Sequence, residues 1–409
     1  MQSPSAGQRH GDPTRLRILN LLSSPHPMIL DQEKRLENLG VEVMDLGCHI
    51  SVPTLLRRGV IGQGLSGWTS SAVSLYRDIG LNPYNLARSI YLTSFVYLLA
   101  KLKREPGFQL LHAHWAYPAG YIGHLLKKRE GVKLVISVYG YDVEKQSERY
   151  RFTLPLVSEA LRDADRVIAF EQTHYDTVVR ILGAEEKVEL MRIPIDTQTL
   201  RPPSAEEKAD TRRWMGFDPS DKIILFGPRM EAMYRPLDLV NALASIIGGP
   251  KDMKVVFLGQ GELENEVRRQ VSRKGIPSLF PGTVSYDKMR SYYWGADLYC
   301  NICVHGQGVS TLEALSCGIP AIGYRGSQLK IVDKKDGILL DGGDTRELAQ
   351  AVSLLLDNKE LAEGYGSEGR RKVQAENDSE ACARSLVHLY SGLITEADIV
   401  GEIPKEESV

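Results

Sequence analysis

Apolar and polar positions along the chain fall into a repeating two-part rhythm. Short runs dense in Leu, Ile and Val, among them "RLRILNLL" (15–22), "VEVMDLG", "FQLLHAHW", "KLVISVYG" and "ADRVIAF", predict strands. Between them, apolar residues recur at helical spacing in "ILDQEKRLENLG", closed by Gly40 at its C-cap, and in "AGYIGHLLKKREG". Strands alternating with helices predict an α/β class, a parallel sheet with helices on both faces.

The rhythm breaks at "MRIPIDTQTLRPPSAEEKAD" (191–210), which has three prolines and little apolar content and reads as an interdomain linker. It restarts with "KIILFG", a helix over 236–247, "KVVFLG", "LENEVRRQVSRKG", "ADLYCNICV", "TLEALSCG" and "PAIGY". The predicted architecture is two Rossmann-like domains facing each other across a cleft. The boundaries follow: a disordered tail over 1–14, an N-terminal domain over 15–200 and a C-terminal domain over 201–375. A helix over 376–395 packs back on the N-terminal domain, and an acidic tail covers 396–409. A length of 409 residues fits this division, being too long for one ordinary core.

Composition narrows the functional classes. With 43% hydrophobic and 25% charged residues the chain is of globular type, and a net charge of −2 argues against a nucleic-acid binder. Residues 51–150 nevertheless hold 13 Lys/Arg against 6 Asp/Glu, a local excess of +7. Five cysteines without framework spacing indicate a reducing compartment. The pair in "CNIC", Cys300 and Cys303, lies in an apolar run and reads as buried strand residues rather than a zinc or redox site. The start of the chain has no signal-peptide pattern, and the apolar stretch 89–104 is too short and polar to span a bilayer. These features place the protein in the cytoplasm. Surface attachment at the inner face of a membrane is left open.

Candidate chemistry centres on "VHGQGVSTLEALSCGIPA" (304–321). Gly306 and Gly308 let the backbone approach a ligand, and free N–H groups at Val309 and Ser310 would open an anion site at a helix N-terminus. Glu313, placed in that helix's first turn, has two readings: it complements the helix dipole, or it reaches back to accept hydrogen bonds from a vicinal diol such as ribose. "ILFGPRMEAMYRP" (224–236) adds Arg229 and Arg235 directly after a strand, where α/β sheets bind ligands and arginine grips phosphate. No P-loop is present, and "GQGELENE" has Glu264 where a dinucleotide fingerprint needs its third glycine.

These residues and their order resemble the retaining GT-B glycosyltransferases of family 4, over about residues 15 to 390. The likeness is carried by "LLHAHWAYPAGYIG", "VISVYGYDV", "FGPR", "VVFLGQGEL", "FPGTVSYDKMRSYYWGADLYC", "GVSTLEALSCGIPAIG" and "DGILLDGGDTRELAQAV". The resemblance implies a nucleotide-sugar donor, UDP- or GDP-linked, in the C-terminal half and a glycan or lipid-linked acceptor in the other. It implies no cofactor and no metal. Arg229 matches the arginine for the donor diphosphate. Tyr234 stands where a lysine usually follows, with Arg235 beside it as a second charge. Glu313 matches the second acid of the E-x7-E motif, which holds the ribose, and His305 replaces the first. Tyr139 replaces a histidine of many members, and the loop "SSPHPM" lacks the usual glycine pair.

On the acceptor side His114, Tyr139 and Asp142 are candidates for the reacting centre, and His305 for the donor sugar. The first three each have a plain structural reading beside this one: a backbone-bonded histidine for His114, strand-end packing for Tyr139, a loop or helix cap for Asp142. His112 and His114 share one face of their strand by period two. The basic excess, including Arg57, Arg58, Arg77, Arg88, Lys101, Lys103, Arg104, Lys127, Lys128 and Arg129, is either a solvated face or, with "YLTSFVYLLAKLKR", a peripheral membrane contact. The implied activity is retaining glycosyl transfer in cell-surface polysaccharide or glycoconjugate synthesis. The competing readings are a sugar-nucleotide epimerase or hydrolase, and a degenerate member that binds without turnover. No feature of the sequence sets an oligomeric state.

Overall fold

The computed structural model describes residues 16–23, 27–48, 71–75, 77, 83–102, 107–140, 142–143, 153–246, 253–303, 308–327 and 330–394, with no side chains given for 83–87 and 101–102. Two compact units result, one from the chain up to Arg192 together with the stretch from Cys382 onward, the other Ile193–Ala381. The first holds β1 (Arg17–Leu22), α1 (Pro27–Asn38), β2 (Glu42–Gly47), α2 (Pro83–Leu102), β3 (Leu110–His114), α3 (Tyr121–Glu130), β4 (Lys133–Val138), α4 (Leu154–Asp163), β5 (Arg166–Ala169), α5 (Gln172–Leu182) and β6 (Val188–Leu190). The second holds α6 (Ala205–Trp214), β7 (Lys222–Phe226), α7 (Pro236–Ile246), β8 (Met253–Leu258), α8 (Glu264–Arg273), β9 (Ser278–Gly282), α9 (Tyr286–Gly295), β10 (Leu298–Asn301), α10 (Val309–Ser316), β11 (Ala321–Tyr324), β12 (Gly337–Leu340), α11 (Thr345–Asp357) and α12 (Lys359–Glu376). A last helix, α13 (Ser379–Ser391), carries the chain back into the first unit.

Each unit is built on a six-stranded parallel sheet, ordered β2-β1-β3-β4-β5-β6 and β12-β11-β10-β7-β8-β9. The inner strands are buried along nearly their whole length, as the unbroken apolar runs of the sequence require in a doubly covered sheet. One core gathers Leu21, Leu111, Ile136 and Val167 with Leu92, Phe95 and Leu99 of α2, and the other gathers Phe226, Phe257, Leu298 and Ile322 with α7 and α11. The strand order reverses between β1 and β3 in one sheet and between β7 and β10 in the other. Such switch points open a crevice at the carboxyl ends of the strands, where α/β sheets take their ligands.

The structure departs from the expected linker in extent. Residues 205–210 belong to α6, started by a capping box between Ser204 and Glu207. Ile193–Ala381 form the second unit because the crossing chain is stitched into it: Ile195 pairs with Asp378, and the Leu200 carbonyl accepts from Ser316 and Arg370. The expected helix over 376–395 likewise begins at Ser379, after Asn377 and Asp378 break from α12. The N-terminal tail and the acidic tail lie outside the described residues.

The membrane reading of "YLTSFVYLLAKLKR" loses its apolar half. Leu92 through Ala100 are all buried against the first core, so their side chains are taken by the protein. Arg129 covers the Tyr97 ring at 4.0 Å, and Lys127 pairs with Asp165 at 2.7 Å. Arg57, Arg58, Lys103 and Arg104, and the side chain of Lys101, lie outside the described residues. Among the described residues no helix is long and apolar enough to cross a membrane.

Candidate functional site

In the second unit the switch point is flanked by the loop after β7 and by α10 after β10. The loop must pass close over β10, because a Cβ on Gly227 would sit 2.3 Å from the Tyr299 hydroxyl oxygen. The chain then runs through Pro228 to Arg229, whose side chain is 66% exposed and paired with Glu231 at 3.2 Å. Met230 turns inward and is fastened to the loop after β8 by Met230 N–H to the Gln260 carbonyl, 3.2 Å, and Leu263 N–H to the Met230 carbonyl, 2.9 Å. A Cβ on Gly261 would lie 2.2 Å from that Met230 carbonyl oxygen. The glycines of "GQGEL" therefore serve loop-to-loop docking, and Gly259 N–H to the Gly282 carbonyl at 2.9 Å adds the loop after β9.

Tyr234 packs against the second core. Arg235, expected as a second phosphate charge, is committed elsewhere: its guanidinium pairs with Asp238 at 3.0 Å and lies 5.2 Å from the centre of the Tyr324 ring. Its backbone is left-handed (φ 52°), a conformation uncommon outside glycine. Arg229 is thus the cation the loop offers outward.

α10 begins at Val309, with Gly308 as N-cap at φ 68°. Val309 and Ser310 are the first two helical residues, so their N–H groups are the free donors expected there. His305 and Gly306 lie outside the described residues. Glu313 falls one turn deeper than the sequence suggested, in the second turn, and is only 7% exposed. The dipole reading weakens accordingly, since that effect fades beyond the first turn. Burial pushes the Glu313 carboxyl up to about 7, opposed by hydrogen bonds from Tyr293 and Tyr286. Tyr293, wholly buried, donates to Glu313 Oε2 at 2.7 Å. Asn301 Nδ2 to Thr311 Oγ1, 3.1 Å, ties β10 to the helix.

The helix is also held at its far end. Arg370 spends its guanidinium on the carbonyls of Ser316, Leu200 and Thr197, fixing the last turn of α10 to the crossing chain. Tyr293, Tyr299, Gly227, Gly261 and Arg370 were missed by sequence reasoning. The two glycines, each just after a strand, were the available signal. The tyrosines and Arg370 gave none.

In the first unit β3 ends at His114, beside Leu22 of β1 at the switch point. The His112 and His114 rings share one face, centroids 4.2 Å apart, as strand alternation predicts. His114 Nδ1 is 2.7 Å from the Tyr139 hydroxyl, and among the described residues its Nε2 has no hydrogen-bond partner. Burial holds His114 well below its ordinary pKa, with His112 adding to the effect, so the ring is neutral. Tyr139 packs between Trp115 at 4.8 Å and Phe170 at 5.2 Å. Trp115 itself has a left-handed backbone (φ 74°). His174, also missed, packs so closely on Gly140 (φ 89°) that a Cβ there would lie 2.3 Å from its Nε2.

Asp142 does not fit the reacting centre. Its Oδ2 accepts from Ala116 N–H at 2.8 Å and its Oδ1 from Tyr139 N–H at 3.0 Å. Both oxygens brace the loops that carry Trp115 and Tyr139, the capping role weighed for it at first. Cys300 and Cys303 are buried thiols, each pushed up to about 12 by burial. Among the described residues no group of three or more His, Cys, Asp or Glu is placed to hold a metal ion.

Both halves of the chain match known glycosyltransferase families. Residues 32–199 match the family described as Glycosyltransferase Family 4, and residues 221–358 match Glycosyl transferases group 1. A GDP-mannose-dependent monoacylated alpha-(1-6)-phosphatidylinositol monomannoside mannosyltransferase of Corynebacterium glutamicum is 23% identical, over 71% of this chain and 78% of its own length. D-inositol 3-phosphate glycosyltransferase 2 of Catenulispora acidiphila is 24% identical, over 93% of this chain and 95% of its own. The solved structure of Anabaena Alr3699/HepE with UDP and glucose superposes with a TM-score of 0.69 at 17% identity, covering 93% of this chain and 100% of that one. Sucrose-phosphate synthase from Thermosynechococcus elongatus gives 0.70 at 19%, over 93% and 99%.

Proposed function

We propose that this chain, a glycosyltransferase resembling family 4 in both of its halves, moves a sugar with retention from a nucleotide-sugar donor to a hydroxyl acceptor of glycan or glycolipid type. The observation that carries the reading is the switch point of the second unit. There an outward arginine, Arg229, follows β7, and a glycine-capped helix start at Gly308, Val309 and Ser310 with a buried acid, Glu313, follows the neighbouring strand β10. Departure of a nucleoside diphosphate builds negative charge, which Arg229 and the helix N–H groups would stabilise. One preorganised donor of this kind contributes ~3–4 kcal/mol. Glu313 would accept from the ribose hydroxyls. The leaving diphosphate would help to take the acceptor's proton, with no metal in the reaction.

In the first unit His114, at the end of β3, and Tyr139, which follows β4 and bonds it, would line the acceptor side. The relatives' names support UDP or GDP as the donor's nucleotide and a phosphatidylinositol-type or inositol-phosphate acceptor as the class to try first. The basic excess of 51–150 would favour an anionic acceptor or membrane surface through charge alone. The cysteines are free thiols, four of the five buried, which supports a cytoplasmic location.

A thermal-shift screen of nucleoside diphosphates and nucleotide sugars tests the reading, with Arg229→Ala and Glu313→Ala alongside. A ligand at 100 times its dissociation constant stabilises by ~2.7 kcal/mol, and both substitutions should abolish that shift. Absence of any shift in the wild-type chain would refute a working donor site. Nucleoside diphosphate released without acceptor would point to hydrolysis instead.

A further inference from the structure

We infer that Tyr293 is a positioning residue of the donor site: from the buried face of α9 its hydroxyl takes one oxygen of Glu313 and aims the carboxylate toward hydroxyl groups bound at the mouth of α10. The inference rests on the donor reading proposed above and deepens it. Tyr293 Oη to Glu313 Oε2 is 2.7 Å, and both residues are buried. Side chains of a helix lean toward its N-terminus, so a glutamate in the second turn of α10 points toward the first-turn N–H groups. A carboxylate offers about four acceptor positions. Tyr293 fills one, and Tyr286, seven residues earlier on the same face of α9, is a second donor to the group. Acceptor capacity remains for a vicinal diol.

The tyrosine also governs ionisation. A buried carboxyl favours its neutral form, and neutral Glu313 would lose half of its value as a double acceptor. Burial alone drives it upward, and the two tyrosine hydroxyls oppose this. Tyr286 and Tyr293 from α9, Tyr299 from β10 and Cys317 just past α10 are uncharged acids, while Arg290, between the two tyrosines on the same face of α9, is a cation and lies over the Trp294 ring at 4.5 Å. Burial raises Tyr293, Tyr299 and Cys317 above their ordinary values, so none supplies charge. Arg370 of α12 is spent on the carbonyls of Ser316, Leu200 and Thr197. Of the two groups that bond Glu313, the hydroxyl of Tyr293 does more to keep it an anion near neutral pH.

Calorimetric titration of the full chain with UDP and with GDP, from about pH 6 to about pH 8.5, tests this. Wild-type affinity should fall as pH drops through the Glu313 midpoint near 7. Tyr293→Phe keeps the ring but removes the donor. A lost hydrogen bond to a charged group corresponds to about one pKa unit or more, moving the midpoint up. Affinity would then drop about eightfold at pH 6.5 and less than about 1.5-fold at pH 8.5. Tyr286→Phe should shift the midpoint in the same direction. Glu313→Gln should bind weakly with that pH dependence gone. A Tyr293→Phe loss equal at every pH would mark a merely structural role and overturn the inference while leaving the donor site intact. If Glu313→Gln instead binds like wild type, or neither nucleotide binds the wild-type chain, the donor reading fails and takes this inference with it.

Discussion

Gly227 and Tyr299 form a pair whose coupling is calculable from the structure. The Cβ of an alanine at 227 would lie 2.3 Å from the Tyr299 hydroxyl oxygen, 2.6 Å from Cε2 and 2.8 Å from Cζ. Gly227 has no left-handed backbone, so Gly→Ala there would by itself stabilise, by ~0.4–1 kcal/mol, through the unfolded chain. The clash reverses the sign. Tyr299 is fully buried in β10 and has little room to retreat, so overpacking should cost ~1–3 kcal/mol net. Tyr299→Phe removes an oxygen whose polar neighbour among the described residues is the Ser310 side chain, and that contact falls short of good hydrogen-bonding geometry. That substitution should be neutral or mildly stabilising, because a buried unsatisfied hydroxyl is itself a cost. In the double variant the closest clash is gone, but Cε2 and Cζ at 2.6 and 2.8 Å still press on the new Cβ, so the relief is partial. The two changes should then couple by at least about 1 kcal/mol in the favourable direction. Scanning calorimetry of the four proteins reads this as a gap of ~2–4 °C between the double variant and the additive expectation. A Gly227→Ala chain that melts at or above wild type, or a strictly additive cycle, would refute the packing argument and the claim that β10 dictates the path of the Arg229 loop.

Three further outcomes follow from the first unit. Tyr390 of α13 bonds His112 Nδ1 at 2.6 Å, and both are buried, so Tyr390→Phe should cost about 1–3 kcal/mol, read by thermal melting, and loosen α13 to limited proteolysis. Burial lowers His112 from the ordinary 6.5 to about 3, so the unfolded chain binds more protons between those values. Its contribution is complete above pH 6.5 and falls as pH drops toward 3, by about 2 kcal/mol at pH 5. Buried Glu33, raised to about 8, works oppositely, favouring the fold below 4.5 and losing that effect as pH rises toward 8. Acid unfolding of His112→Asn should therefore be less steep than wild type between pH 6.5 and 4, and an unchanged slope would contradict the assignment. Asp142→Asn places an NH₂ against a backbone N–H and should lower the melting temperature of the protein lacking any ligand, which a purely catalytic aspartate would not do.

What the sequence made legible was whatever depends on local pattern. Runs such as "KLVISVYG" and "KIILFG" are apolar because both faces of a parallel strand are covered, and Gly40 and Gly308 each sit at a helix end with positive φ. Arg229 and the start of α10 were likewise readable, since a cation after a strand and glycines before a helix are local signals. Contacts across the fold were not. Tyr293 meets Glu313 from another helix, and nothing in "YYWGAD" distinguishes the tyrosine that packs from the one that donates. Arg235 looked like a second phosphate ligand because it follows a strand and stands beside Tyr234, at the place of a lysine, and only the structure shows its guanidinium paired with Asp238. Asp142 looked reactive at a strand end, and only the backbone of Ala116, 26 residues away in sequence, shows what its second oxygen holds.

A common logic joins the two switch points. Each unit places a non-glycine residue with left-handed backbone beside its candidate site, Trp115 after β3 and Arg235 before α7. Each then fixes that loop by a carboxylate: Asp142 holds the Ala116 amide next to Trp115, and Asp238 holds the Arg235 side chain. Such backbones cost ~1–3 kcal/mol and persist where neighbours over-determine them. The same neighbourhoods contain glycines that admit no Cβ: Gly140 under His174, Gly227 over Tyr299, and Gly261 against Met230. A loop pinned on both sides by strain and by close packing has little freedom left to reorganise. That is the property a site needs if its charges are to meet a developing diphosphate without first having to turn toward it.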